Sequence, residues 1–248
     1  MIYLKSSSEI NIMRISGRIV AETLNKIKDL VKPGITTKEL DKIAEEYILS
    51  CGAQPSFKGL YGFPATLCTS INEEVVHGIP GERVLVEGDI LSVDCGAYYQ
   101  GFHGDAARTF PIGRISSEDQ KLIDVTRDSF FEGIKFAVIG NRIGDIAHAV
   151  QVYVEAFGYG VVRDYVGHGI GKEMHEEPSV PNFGRSGRGP KLAKGMTIAI
   201  EPMVNLGTYA VTQMSDNWTV VTLDGSKSAH YENTIAILDN GPEILTII

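Results

Sequence analysis

Residues 89–111 read Asp-Ile-Leu-Ser-Val-Asp-Cys-Gly-Ala-Tyr-Tyr-Gln-Gly-Phe-His-Gly-Asp-Ala-Ala-Arg-Thr-Phe-Pro. Ile90, Leu91, Val93, Tyr98, Tyr99, Phe102 and Phe110 favour extended chain, and Gln100-Gly101 suits a tight turn, so the stretch predicts a β-hairpin. Asp94 and Asp105 lie inside its arms. With Tyr99-Gln100 at the turn they face each other; with Gln100-Gly101 they are diagonal neighbours on one face. A three-residue loop puts them on opposite faces unless a bulge corrects it. Two of these registers gather two carboxylates among apolar neighbours, where their mutual repulsion calls for a cation. On a wet sheet face they would be ordinary polar residues, but aspartate is depleted in strands, and a pair at this offset favours the cation.

The chain around the hairpin has 248 residues, 43% hydrophobic and 22% charged, with mean hydropathy near zero. That composition suits a globular fold, and no low-complexity linker divides it, so residues 1–248 are expected to form one domain. A net charge of -8 and a pI near 5.3 argue against chain-wide affinity for nucleic acid or an anionic membrane. Cys51, Cys68 and Cys95 form no CxxC pair, and their odd number suits a reducing cytoplasm. The start, Met-Ile-Tyr-Leu-Lys-Ser-Ser-Ser-Glu, has no signal-like apolar run, and no later window reaches a membrane-spanning length.

Ahead of the hairpin, apolar residues from Ile10 to Leu30 recur near helical period, predicting a helix over about 8–31 that Lys32-Pro33-Gly34 stops. Thr36 or Thr37 can cap a second helix ending at Cys51-Gly52. A Gly- and aromatic-rich loop and two short strands, 65–70 and 74–77, complete the first half. The second half repeats the order. Helices are expected from Ser117 to about Val138 and from about Gly144 to Phe157, then a strand at Val161-Val162. A Gly-rich loop over 167–171, a connector over 178–190 and a strand over 196–201 follow. Two last strands, about 213–223 and 230–238, are expected to pair as a hairpin around Asp224-Gly225.

Three further acceptors stand out. His168 lies in Gly-His-Gly-Ile-Gly, where it has no apolar face to fill. Glu201 ends the apolar run Met-Thr-Ile-Ala-Ile-Glu-Pro, and Glu232 enters another, His-Tyr-Glu-Asn-Thr-Ile-Ala-Ile. Singly, each reads as well as a turn histidine, an edge glutamate or a strand-terminal ion pair. Together with Asp94 and Asp105 they make four carboxylates and one imidazole, a set suited to divalent Mn, Fe, Co or Zn and rich enough in oxygen to bridge two ions.

With Asn-Glu-Glu-Val-Val-His77-Gly, the ten-residue gap between Asp94 and Asp105, Gly-His168-Gly-Ile-Gly, His175-Glu-Glu-Pro and Ile200-Glu201-Pro, the chain resembles type I methionine aminopeptidases over essentially its whole length. The resemblance implies an α/β (α+β) pita-bread fold, two pseudo-symmetric halves of antiparallel sheet covered by helix pairs. It implies removal of the initiator methionine from nascent proteins and peptides, preferably before a small residue, by a water or hydroxide held between two divalent metals. It makes Asp94, Asp105 and Glu232 ligands of one ion, with Asp105 and Glu232 bridging to a second that His168 and Glu201 complete. Glu201 then serves as proton shuttle, and His77 and His175 contact the scissile amide. Phe63, Cys68, Met174 and the single Trp218 match an apolar methionine pocket. If the Asp224-Gly225 turn is short, Trp218 is expected near Glu232 across it.

Leu60 and Met174 depart from the family's frequent tyrosine and phenylalanine. His230 and Asn233 flank Glu232 where glutamine and histidine are common, and period two sets His230 on the face of Glu232 and His103 on that of Asp105. His103 is expected to be structural. Rival readings are a pita-bread aminopeptidase acting before proline, which usually carries a large amino-terminal domain, and a catalytically silent binding module, which would have lost ligands. A type II enzyme would carry a helical insertion between His168 and Glu201 or nearby, and the interval here is short. No zinc-finger extension is expected, so any transient ribosome contact falls to the domain's own surface, and the family suggests a monomer.

Overall fold

The computed structural model describes residues 1–247. Helix α1 spans Ser7–Leu30 and α2 Thr37–Ser50, followed by strands β1 (Gln54–Pro55), β2 (Leu67–Ile71), β3 (Glu74–Val76), β4 (Ile90–Tyr99) and β5 (Phe102–Pro111). The second run has α3 (Ser117–Ile134), α4 (Ile143–Glu155), β6 (Gly160–Val161), β7 (Gly167–Gly169), β8 (Glu176–Val180), β9 (Thr197–Ile200) and β10 (Met203–Asn205). Strands β11 (Val211–Gln213), β12 (Val220–Thr222), β13 (Ser228–His230), β14 (Asn233–Leu238) and β15 (Gly241–Ile244) close the chain. The order of a helix pair and then strands therefore occurs twice. No helix among the described residues is long and apolar enough to cross a membrane.

Both amino-terminal helices begin with a reciprocal capping box, Ser6 with Glu9 and Thr36 with Glu39. The face of α1 carrying Ile10, Met13, Gly17, Val20, Leu24 and Ile27 is buried. Backbones touch where it crosses the hairpin: a Cβ on Gly104 of β5 would press on the chain at Gly17, and one on Gly17 would collide with the Leu245 carbonyl. Only glycine fits that crossing.

The hairpin turns at Gln100 (φ 46) and Gly101 (φ 92), both in the left-handed region, as a two-residue primed turn requires. Tyr99 pairs with Phe102, Gly96 with Asp105 and Asp94 with Ala107. Of the registers left open, the diagonal one holds, with both aspartates on one face. Strand β4 is flanked by β2 and β5 and also pairs with β1. A five-stranded sheet runs β15-β14-β9-β7-β8, beside three-stranded sheets β13-β10-β6 and β11-β12-β3. The two halves are stitched along β5: Glu232 N donates to Ala107 O (3.0 Å), Asp105 N to Thr234 Oγ1 (3.0 Å), and Thr234 Oγ1 to Asp105 O (2.9 Å).

Several expectations need correction. The Gly-rich stretch at 167–171 is no loop, because Gly167–Gly169 forms β7 between β8 and β9. Its glycines serve close approach: a Cβ on Gly167 would strike the Ala199 carbonyl and one on Gly169 the Glu177 carbonyl. The start of the expected 178–190 connector belongs to β8. Helix α3 ends at Ile134, short of Val138, as Phe136 and Ala137 donate three residues back to Gly133 and Ile134 and tighten the chain into turns. The last two strands are not one hairpin. Strand β12 pairs with β11 and β3 while β14 pairs with β9 and β15, so the Asp224-Gly225 turn carries the chain from one sheet to another.

Candidate active site

The stitched seam brings the predicted acceptors together. Asp94 comes from β4, Asp105 from β5, His168 from β7, Glu201 from just after β9, and Glu232 from between β13 and β14. His168 Nε2 lies 3.7 Å from Asp105 Oδ2 and 3.6 Å from Glu201 Oε1. His230 Nε2 lies 3.7 Å from Glu201 Oε2 and 3.9 Å from Glu232 Oε2. Donor atoms of Asp105, His168 and Glu232 gather within 4.8 Å of one another, and so do those of Glu201, His230 and Glu232, so two groups share Glu232. Asp94 stands outside both groups but close enough for the charge of Asp105, whose face it shares, to act on it.

These side chains are buried without enough donors. Asp94 Oδ1, Asp105 Oδ1, Glu232 Oε1 and His230 Nε2 are enclosed and have no hydrogen-bond partner. Burial, then the charge of Asp105, raises the carboxyl pKa of Asp94, Glu201 and Glu232 well above the usual range. Burial pushes Asp105 itself up to about 7. It also holds His168 down at about 4 and His230 at about 3, keeping both imidazoles neutral near pH 7. His168 Nδ1 sits 2.8 Å from the Gly169 carbonyl, which assigns the proton to Nδ1 and turns the Nε2 lone pair toward Asp105 and Glu201. Acidic oxygens short of donors and neutral imidazoles with a free nitrogen fit divalent cations, and no thiolate competes within either donor group.

The centre forms the floor of a cavity of ≈ 680 Å³ that His77, His175, Phe63, Cys68 and Trp218 also line. Cys68 opposes Asp94 across β2 and β4, so its side chain takes the same face and sets the apolar wall beside the acids. Phe63 meets Trp218 edge to face with centroids 5.0 Å apart. Met174 packs in that cluster but is 2% exposed and backs the wall instead of lining the cavity, whereas Leu60 lines it. Trp218 reaches the cavity through Phe63 and β3, not across a hairpin from Glu232 as expected, because β12 and β14 lie in different sheets. The His175 ring packs 4.5 Å from His168, and His77, at φ 60, meets Tyr165 edge-on at 5.6 Å. Burial lowers both His77 and His175 to about 4. His103, outside the cavity lining, hydrogen-bonds Ser56 Oγ at 2.9 Å and packs on Tyr98, a structural place.

Two features escaped the sequence. His230 was legible as a neighbour of Glu232, but not as a member of the second donor group. Lys5, from the segment before α1, makes a buried ion pair with Glu176, beside His175. A lysine in a polar leader carries no pattern that points to a partner 171 positions away.

This layered antiparallel fold, with acids meeting on the seam of two helix-backed halves, defines a metallopeptidase: the chain belongs to metallopeptidase family M24, whose sequence profile matches residues 11–239. Such an enzyme works with divalent metal ions. Among similar proteins, the methionine aminopeptidase of Clostridium acetobutylicum is 66% identical over 248 residues, covering 100% of this chain and 99% of the relative. Methionine aminopeptidase 1 of Bacillus subtilis is 54% identical, with 99% of each covered. The crystal structure of methionine aminopeptidase from Thermotoga maritima superposes with a TM-score of 0.98 at 46% identity and covers 100% of both chains. The pita-bread architecture expected from the motifs is thus the architecture of this chain.

Proposed function

We propose that this chain is a methionine aminopeptidase that removes the initiator methionine from nascent proteins and peptides, preferring a small second residue. The observation that carries the reading is the unpaired, buried acid and imidazole cluster at the foot of an apolar cavity, in a chain 66% identical to a methionine aminopeptidase. Asp94, Asp105, His168, Glu201 and Glu232 would hold two ions of the Mn, Fe, Co or Zn type. When bound, such ions lower the pKa of water and polarise the scissile carbonyl.

The remaining work belongs to the protein. Phe63, Cys68 and Trp218 receive the thioether side chain, for which an apolar wall without a charged partner is suited. Glu201, between His168 and His230, takes the proton from the attacking water and returns it to the leaving amine. His77 and His175, neutral and lining the same cavity, donate to the scissile amide as it becomes tetrahedral. The preference for a small second residue requires a wall beyond that bond tight enough to exclude large ones. Three free cysteines suit a reducing cytoplasm, and likeness to methionine aminopeptidases is the ground for reading the chain as a monomer that acts on polypeptide amino termini leaving the ribosome.

The test is release of the amino-terminal residue from Met-Ala-Ser, Met-Leu-Ser and Ala-Pro-Ser by metal-stripped protein with and without added Co or Mn. Metal-dependent turnover of Met-Ala-Ser alone is expected. Folded protein inactive with every metal would leave a silent binding module, and release of residues preceding proline would assign the other peptidase.

A further inference from the structure

A second cavity, of ≈ 490 Å³, opens between α1, β5 and α3, away from the peptide cavity. That volume is of the size that holds small organic ligands. Among the described residues its lining includes three cations, Lys28, Arg108 and Arg127, with Asn25 and Gln120, and neither aspartate nor glutamate. In a chain of net charge -8 this is a local reversal of sign.

Arg108 is the centre of it. Its Nη1 donates to the carbonyls of Ala107 and Glu232, its Nη2 to Asn233 Oδ1 at 2.7 Å, and its guanidinium lies over the Tyr231 ring at 4.3 Å. Every one of these partners is neutral, and Arg108 makes no ion pair among the described residues. Among the described residues Nε–H and one Nη2–H have no acceptor. Arg127 is held by Asp124 and Asp128, whereas Lys28, exposed on α1, makes no ion pair among the described residues. The hydrogen bonds of this largely buried guanidinium all go to neutral groups, the nearest acid acting on it being Glu232 through space, and an oxyanion on its remaining donors supplies a direct charge partner with the matching geometry. Leu24, Phe110 and Ile123 offer the rest of the lining to an apolar body.

We propose that this cavity binds a small organic oxyanion, its carboxylate or phosphate on the free donors of Arg108 with Lys28 and Arg127 beside it, and its body against Leu24 and Ile123. The site is separate from the peptide cavity but shares a wall with the acidic centre. His230 lines it, and the guanidinium that would take the anion also holds the Glu232 carbonyl.

The experiment is calorimetric titration of the metal-loaded full chain with phenyl phosphate and, separately, benzoate, with and without saturating L-methionine. One anion per chain is expected to bind by at least one of the two probes, with an affinity that methionine does not change. The tighter probe identifies the headgroup. Lys28→Glu and Arg127→Ala, both at exposed positions, are expected to weaken that binding about tenfold each while peptide hydrolysis stays unchanged. No binding at millimolar anion, binding that methionine abolishes, or binding that neither substitution weakens would overturn the site.

Discussion

Two regions rich in carboxylates treat the same chemical group in opposite ways. In the loops of residues 207–226, Asp224 accepts from Thr208 N (2.7 Å), Ser226 N (3.0 Å) and Ser226 Oγ (2.6 Å), and Asp216 accepts from Trp218 N, Thr219 N and Thr219 Oγ1. Those donors, led by Ser226, bring Asp224 down to about 2, and Thr219 foremost lowers Asp216. In the centre, Asp94, Asp105, Glu201 and Glu232 are buried together with oxygens left over, and burial raises all four. Donor-rich carboxylates fold a loop. Donor-poor, buried ones wait for a cation, because dehydrated like charges otherwise oppose folding.

The sharpest break between the regions is Asp105→Asn, which removes a charge that the account assigns to metal. Peptide turnover is expected to fall about a hundredfold or more with the fold retained, as judged by circular dichroism. Next, His175→Ala, which leaves every acid in place, should lower kcat by about 10²-fold or more with little change in KM if its donor serves the tetrahedral state.

Stability against pH separates the regions by sign. In metal-free protein the raised carboxylates of the centre bind protons better folded than unfolded. Their contribution is present below the unfolded carboxylate pKa and is lost as pH rises through the folded value, about 7 for Asp105. The neutral histidines act oppositely: stability present above their unfolded value of 6.5 is lost as pH falls toward about 4 for His77, His168 and His175. The metal-free Tm is therefore expected to drop between pH 6.5 and 8, a drop that metal loading removes by scanning calorimetry. A flat metal-free profile would erase the contrast. For Asp224 the stabilisation is present above its unfolded value of 3.8 and is lost as pH falls toward 2. The smallest expected effect is that of Asp224→Ala, about 1 kcal/mol in denaturant melts, since the loop is solvent-screened, with metal binding unchanged.

The ligand-bearing hairpin was legible because period-two chemistry and Gln100-Gly101 act locally, and the register that formed was one of those the turn allows. Glu201 and Glu232 announced themselves as charges at the ends of apolar strands. Their convergence was not legible, because it rests on bonds such as Glu232 N to Ala107 O and Asp105 N to Thr234 Oγ1, which join residues more than a hundred positions apart. Gly167 and Gly169 misled because glycine marks close backbone approach as readily as a turn, and neighbouring sequence cannot tell which. Trp218 fell in the right cavity by resemblance, but the hairpin argument placed it by the wrong route, since adjacent strands need not share a sheet.

The most direct test is calorimetric titration of metal-free protein with Mn or Co, beside Asp105→Asn and Asp224→Ala. Two divalent ions per chain in the native sequence and in Asp224→Ala, with one or both sites lost in Asp105→Asn, is the predicted result. Equal binding by all three proteins would contradict the assignment of the buried carboxylates to metal.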